Sequence, residues 1–417
     1  MNTCLSLPDD AARASLTEYE AVLRTVLPLK AAHRKELHFA VADLSRALTT
    51  ERGGLKVPYW TTPRTTSAYL HFYLPWNLYR LAWLLPTLSL DLKDGDTVLD
   101  LGCGPLTLAQ ALWMFRPELR TRQLTFLCAD IAPKPMETGR RLLETLMGPT
   151  TPWRVFLERA PLEKALRTHF GKAALVCGAN VLNELHAGKG QSLEERMTDL
   201  ALFIREACAP GGTALFVEPG TRLGGKMVSL LRQGLMTHGL FPHTPCPHTG
   251  DCPMLAQHAN GWCHFNAPAE QAPAWLMSLT NRARMDRRNV SLSFLHATQD
   301  MPPVMEDAVR VLSDPIKLPD TPEAARYACS AHGLALLHKA RRFHNGSLVR
   351  VAWPDPSVTD AKSRARIALP AEQPHAPAAP AASPTQQRQV IPGAKDQKKR
   401  NTGGTPMGSS ARRSGSR

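Results

Sequence analysis

Three rhythms of apolar and polar positions follow one another along the chain. Up to about residue 90 the apolar side chains recur at helical spacing. Leu37, Val41, Leu44 and Leu48 fall at i, i+4, i+7 and i+11, which builds one face of a helix. Gly53-Gly54 breaks that pattern. The stretch SAYLHFYLPWNLYRLAWLL then reads as a second helix, whose rings are expected to pack in a core rather than stack on bases.

From Asp96 the rhythm changes. The short apolar runs DTVLDLG, LTFLCAD, ALVCGANVL and TALFVEPG suit buried parallel strands. Between them lie helical stretches, LTLAQALWMF and SLEERMTDLALFIREAC being the clearest; in the second, Leu193, Met197, Leu200, Ile204 and Cys208 repeat at helical spacing. The alternation predicts a doubly wound α/β sheet. After the helix GGKMVSLLRQGLMTHG comes a segment rich in Cys, His and Pro, then a basic helix and the strand-like pieces SLSFLHA, AVRVLS, ARYAC and LALLHKA. Cys329 to Gly333 fits a hairpin turn between the last two. The expected organisation is a helical region over 1–92, an α/β domain over 93–240, a Cys-rich segment with C-terminal strands over 241–355, and a tail over 356–417.

With 417 residues and 43% apolar side chains, the chain can bury a real core, so global disorder is excluded. Lys and Arg number 50 against 36 Asp and Glu, a formal +14 that favours polyanionic partners. The charge is uneven. Residues 356–417 hold no aromatic side chain and eleven bases against Asp360, Glu372 and Asp396, a net +8, and are expected to be disordered. The start, MNTCLSLPDDAARASL, lacks the pattern of a signal or transit peptide. His71, Pro75, Asn77, Arg80 and Pro86 interrupt the most apolar stretch, which argues against a membrane span. A monomer in a reducing cytoplasm is expected, where clustered thiols bind metal more often than they form disulfides.

VLDLGCGPLTL places Asp100, Gly102 and Gly104 where a strand meets a helix, so the backbone can turn sharply and present free N–H groups to a ligand. Asp130 closes the next strand, where a carboxylate can accept both ribose hydroxyls. The NAD pattern G-x-G-x-x-G is not met, because Thr107 stands at its last position. Asp100 before the first glycine, with Pro210-Gly211-Gly212 ahead of a strand, resembles the class I S-adenosylmethionine-dependent methyltransferases. That resemblance implies a Rossmann-like sheet. Asp100, Gly102 and Gly104 would line the methionine end of the cofactor, and Asp130 would hold its ribose. Leu106 stands where the family has a third glycine, and a side chain there is expected to crowd the cofactor. Asn180, Asn183 and Glu184 of GANVLNEL are candidates for the cofactor's edge or an acceptor's hydrogen bonds. The N/D-P-P-Y pattern of amine methylation is absent and Cys177 reads as buried filler, so the methyl acceptor stays open.

Cys246, Cys252, Cys263 and Cys329 are the chemical candidates of the third segment. Pro247 and Pro253 put irregular backbone around the first two, and four thiolates can bind one Zn²⁺ or one iron each of a cubane. His248, His258 and His264 are possible substitutes. Cys103, Cys128, Cys177 and Cys208 read as small core residues, and Cys4 as an exposed end thiol. The order LTTERGG, RTTSAYLHFYLPWNLYRL, LDLGCGP, ANVLNEL, FVEPGT, CPHTGDCP, WCHF, LSFL, RVLSDPIK and a late hairpin Cys resembles the methyltransferase-like assembly factors of the small ribosomal subunit. The resemblance spans roughly residues 40–355. It implies a [4Fe–4S] cluster on the four cysteines, association with the small subunit and its ribosomal RNA, and S-adenosylmethionine in the pocket. Arg282, Arg284, Arg287 and Arg288 of NRARMDRRNV are the candidate RNA contacts. Three readings follow: a ribosomal RNA methyltransferase with a cluster, a non-enzymatic assembly factor with a vestigial cofactor site, and a zinc-binding RNA methyltransferase.

Overall fold

The computed structural model describes residues 2–49, 60–187, 190–256, 261–318 and 321–371. Gly53-Gly54, most of LTTERGG, His258 and residues 372–417 lie outside them.

A short strand β1 (Asn2–Thr3) precedes four helices: α1 (Asp10–Val26), α2 (Ala31–Thr49), α3 (Pro63–Ala68) and α4 (Leu74–Leu84). Asp9 starts α1 by accepting the Ala12 N–H at 2.8 Å. Leu37, Val41 and Leu44 of α2 are buried, as their spacing requires. Pro75 removes a donor from the aromatic stretch, and the chain there widens into a π-turn in which the Leu74 N–H reaches the Tyr69 carbonyl. Every residue of α4 is buried, so its rings form core. The N-terminus departs from the expected all-helical region. β1 pairs with a C-terminal strand, which carries Cys4 into the interior at 1% exposure rather than leaving it at an exposed end.

The central layer is a mixed sheet. Five parallel strands, β2 (Thr97–Leu101), β3 (Thr125–Asp130), β4 (Arg154–Arg159), β5 (Ala173–Ala179) and β6 (Cys208–Pro219), alternate with α5 (Thr107–Phe115), α6 (Pro133–Met147), α7 (Leu162–Thr168), α8 (Leu193–Ala207) and α9 (Arg222–Thr237). β7 (Phe241–Thr244), β8 (Phe265–Pro268), α10 (Ala274–Arg282) and β9 (Asn289–Thr298) complete it, in the order β4-β3-β2-β5-β6-β9-β7, with β8 also on β9. β9 runs antiparallel between β6 and β7. Alternate side chains feed two cores: Val98, Phe126, Leu175 and Phe294 point to the N-terminal helices, while Leu99, Val176, Phe216 and Leu295 join α8 and α9. A Ser192–Glu195 capping box opens α8. The α/β domain therefore does not stop at 240. Residues expected to form a separate Cys-rich segment supply three of its strands, because the runs around β9 have apolar residues for both faces.

The remaining strands, β10 (Ala308–Val311), β11 (Ile316–Leu318), β12 (Thr321–Ser330), β13 (Gly333–Leu337), β14 (Ser347–Ala352) and β15 (Arg366–Pro370), build a second sheet. β10, β12, β13, β15 and β14 close on themselves, since β14 pairs with both β15 and β10. The hairpin at Ser330 and Gly333 forms as expected. The expected tail boundary at 356 is wrong: β15 folds, and its Ala368 sits in the barrel interior beside Val309, Leu337 and Val351. So narrow an interior accepts alanine, which a composition argument reads as too little apolar surface to fold.

Candidate functional site

The β2–α5 turn is built by left-handed backbone. Gly102 and Gly104 have φ of 58° and 49°. A Cβ on Gly102 would lie 2.3 Å from Val181 Cγ2, whereas one on Gly104 would meet nothing within 4 Å. The turn therefore opens onto free space at Gly104. Leu106 also takes the left-handed conformation, at φ 56°, but its side chain is fully buried among the core residues. Its side chain belongs to the core shared with the N-terminal helices.

Asp100, at the end of β2, is 1% exposed, and its Oδ2 has no hydrogen-bond partner. Burial, and then the charge of Asp130, push its pKa well above the usual carboxylate range. Asp130, at the end of β3, is raised by burial too. It accepts the Gly104 N–H at 2.9 Å and the Ala132 N–H at 2.8 Å, which fixes the turn to the neighbouring strand. Asn180 closes the opposite wall after β5 with φ 60°, and its buried Oδ1 also lacks a donor. Asp100, Gly102, Gly104, Asp130 and Asn180 thus lie at the carboxyl ends of adjacent strands.

Three further residues shape this wall, and the sequence did not single them out. Glu218, fully buried at the end of β6, accepts the Leu182 N–H and the Asn183 Nδ2, both at 2.8 Å, and so holds the VLNEL turn. Burial lifts its pKa to about 7. Tyr69 of the π-turn lies within electrostatic reach of Glu184, Arg80 and Asp130, which brings the N-terminal helices to the rim. Arg80, buried on α4, donates to Asn77 Oδ1 at 2.7 Å, while its Nε has no partner. The E-P-G ending of the fourth apolar run was the one local signal for Glu218; nothing local marks Tyr69 or Arg80.

Cys246, Cys252, Cys263 and Cys329 all line one small cavity, with His248 and Arg232. Loops flanking β7 and β8 supply three thiols and β12 the fourth. The His248 Nε2 lies 3.2 Å from Cys329 Sγ, and Arg232 Nε donates to Cys246 Sγ at 3.3 Å. Arg232 and Arg310 are both buried, and neither is ion-paired to a carboxylate among the described residues. Burial raises the pKa of Cys246, Cys263 and Cys329, and Arg232 counteracts it at Cys246 and Cys329. Among the described residues no three His, Cys, Asp or Glu side chains converge as a ligand set for a single ion. His264 turns to the Trp262 carbonyl instead. Cys103, Cys128, Cys177 and Cys208 are buried, as expected.

The arginine run is not a helix. α10 ends at Arg282, and Arg284, Arg287 and Arg288 follow in a loop. Arg282 donates to the Lys35 carbonyl and contacts His38 Nδ1, both at 3.2 Å. Arg287 lies over the rings of Trp76 and Phe72, 4.8 and 5.5 Å from their centroids, so it serves the aromatic core. Arg284 and Arg288 are exposed, Arg288 with Asp286 at 3.5 Å.

A parallel sheet with an antiparallel strand inserted beside its last parallel member, and a glycine turn facing carboxylates at the strand ends, define a class I S-adenosylmethionine-dependent methyltransferase fold. The chain belongs to the family described as mitochondrial small ribosomal subunit Rsm22, whose model matches residues 97–320. No curated protein matches the chain. Among solved structures it is similar to a mutant 16S rRNA (adenine(1408)-N(1))-methyltransferase from Catenulisporales acidiphilia. That match has 13% identity and a TM-score of 0.29, covering 49% of this chain and 86% of that one. It is also similar to a putative S-adenosylmethionine dependent methyltransferase from Listeria monocytogenes, at 15% identity and a TM-score of 0.32, covering 54% and 98%.

Proposed function

We propose that this protein binds S-adenosylmethionine at the β2–α5 turn, and the small ribosomal subunit through its RNA, as a cytoplasmic monomer. The observation that carries the cofactor reading is a pair of buried acceptors without donors, Asp100 Oδ2 and Asn180 Oδ1, beside the open space at Gly104. An amino acid ammonium and ribose hydroxyls are the donors such a site lacks. When bound, the cofactor supplies an electrophilic methyl group. Asp100, Asn180 and Asp130 would orient it, Glu218 would keep the VLNEL turn in place, and Tyr69 would help exclude water. Calorimetric titration with S-adenosylmethionine should show saturable binding, weakened by Gly104→Ala, whose methyl group enters the open space. No binding at millimolar ligand overturns the enzyme reading. It would leave the non-enzymatic assembly factor with a vestigial cofactor site.

For the four cysteines the reading is a [4Fe–4S] cluster. The four thiols line one small cavity, which is the common site that the family resemblance requires of its cluster ligands. Arg232 and Arg310, buried without carboxylates, supply the countercharge an anionic cluster needs. Anaerobically purified protein should be brown, with iron and acid-labile sulfide. Colourless protein with stoichiometric zinc would establish the zinc reading instead.

A further inference from the structure

In the C-terminal barrel the five closing strands follow one another around the ring as first, second, third, fifth and fourth in chain order. The third, β13, runs parallel to the fifth, β15, and the other pairs are antiparallel. This is the connectivity of the oligonucleotide/oligosaccharide-binding barrel, which takes ligands on the face of its second and third strands and on the loops after its first and fourth. A cavity of about 610 Å³ occupies that face, with Ser313 from the loop after β10, Tyr327 from β12, Leu334 from β13, and Lys362 and Arg364 from the loop between β14 and β15. Trp262 closes it from the Cys-rich segment, anchored by its Nε1 donating to the Gly220 carbonyl at 2.9 Å. His264 stacks on Trp262, with centroids 4.7 Å apart, and the Arg222 guanidinium lies over the same indole at 5.3 Å, so Trp262 is a fixed wall and Tyr327 is the ring left to stack on a base. The turn carrying the two cations is rigid, since Asp360 Oδ2 accepts both the N–H and the hydroxyl of Ser363 at 2.7 and 2.6 Å. Neither Lys362 nor Arg364 is ion-paired among the described residues.

We propose that this face binds one unpaired nucleotide of an RNA strand, the base against Tyr327 and the phosphate at Lys362 and Arg364. Aromatic rings accept any base by stacking, and the cations select a phosphate over an uncharged sugar. The proposal rests on the RNA reading above and gives it a location that the arginine run does not.

The test uses the full-length, metal-loaded chain and a short single-stranded oligouridylate carrying 5-iodouracil. Photocrosslinks should map to Tyr327. Tyr327→Leu should weaken binding about tenfold, with Tyr327→Phe restoring it. Lys362→Gln with Arg364→Asn, which tolerates the left-handed φ of 57° at 364, should lower the salt slope by about 0.7 for each phosphate no longer neutralised. If that double variant binds RNA with unchanged affinity and slope and the crosslinks fall elsewhere, the pocket is overturned while RNA binding stands. If the wild type binds no RNA even at low salt, both fall. Binding of uridine monophosphate without RNA binding would assign the pocket to a free nucleotide and overturn the proposal.

Discussion

Glu218 shows how one buried carboxyl ties chemistry to stability. Burial is the largest influence on it and outweighs the Leu182 and Asn183 donors, so the protonated form is favoured and its pKa rises from 4.5 to about 7. The folded chain therefore keeps a proton that the unfolded chain releases above about pH 4.5. Stability from this group is complete below that pH and is lost as pH rises through about 7, a loss of about 3 kcal/mol. Glu218→Gln removes the titration. Urea denaturation of both proteins should show their difference in stability shifting toward the glutamine variant across that window; a constant difference would show that Glu218 does not titrate there.

At the scale of elements, β15 decides whether the C-terminal barrel closes. It adds to β13 on one side and to β14 on the other. Without it both strands become edges with unpaired backbone groups. A chain ending at Trp353 should be less stable than one ending at Ala371 by about 2–4 kcal/mol, counting several backbone hydrogen bonds at about 1 kcal/mol each. Equal thermal melting of the two would mean the ring closes without β15. The wide turn at Tyr69–Tyr73 is a second such element. Pro75 interrupts the helical ladder, and the resulting offset brings Tyr69 to the rim of the glycine turn.

Across the whole molecule the four cysteines join parts that are far apart in the chain. Cys246, Cys252 and Cys263 belong to loops of the large sheet, and Cys329 to the barrel. A cluster on all four would staple the two sheets, so Cys329→Ser should lose iron and make the barrel more readily cleaved by protease. Iron content equal to the wild type would refute Cys329 as a ligand. None of the helices among the described residues is long and apolar enough to cross a membrane. Most of this architecture was legible in the sequence where a local rule governs it. Period-two and period-3.6 patterns marked the parallel strands and their helices, since each buried face must be apolar, and the glycine turn showed itself because left-handed backbone next to a strand end demands Gly102 and Gly104. What the tertiary structure alone decided are matters of pairing between distant segments. Cys4 is buried because β1 finds β14, Arg287 leaves the basic surface because α4 offers its rings, and Lys362 and Arg364 turn from tail residues into the wall of a pocket because β15 closes a barrel. Local periodicity records which face of an element is apolar, but not which distant element will cover it.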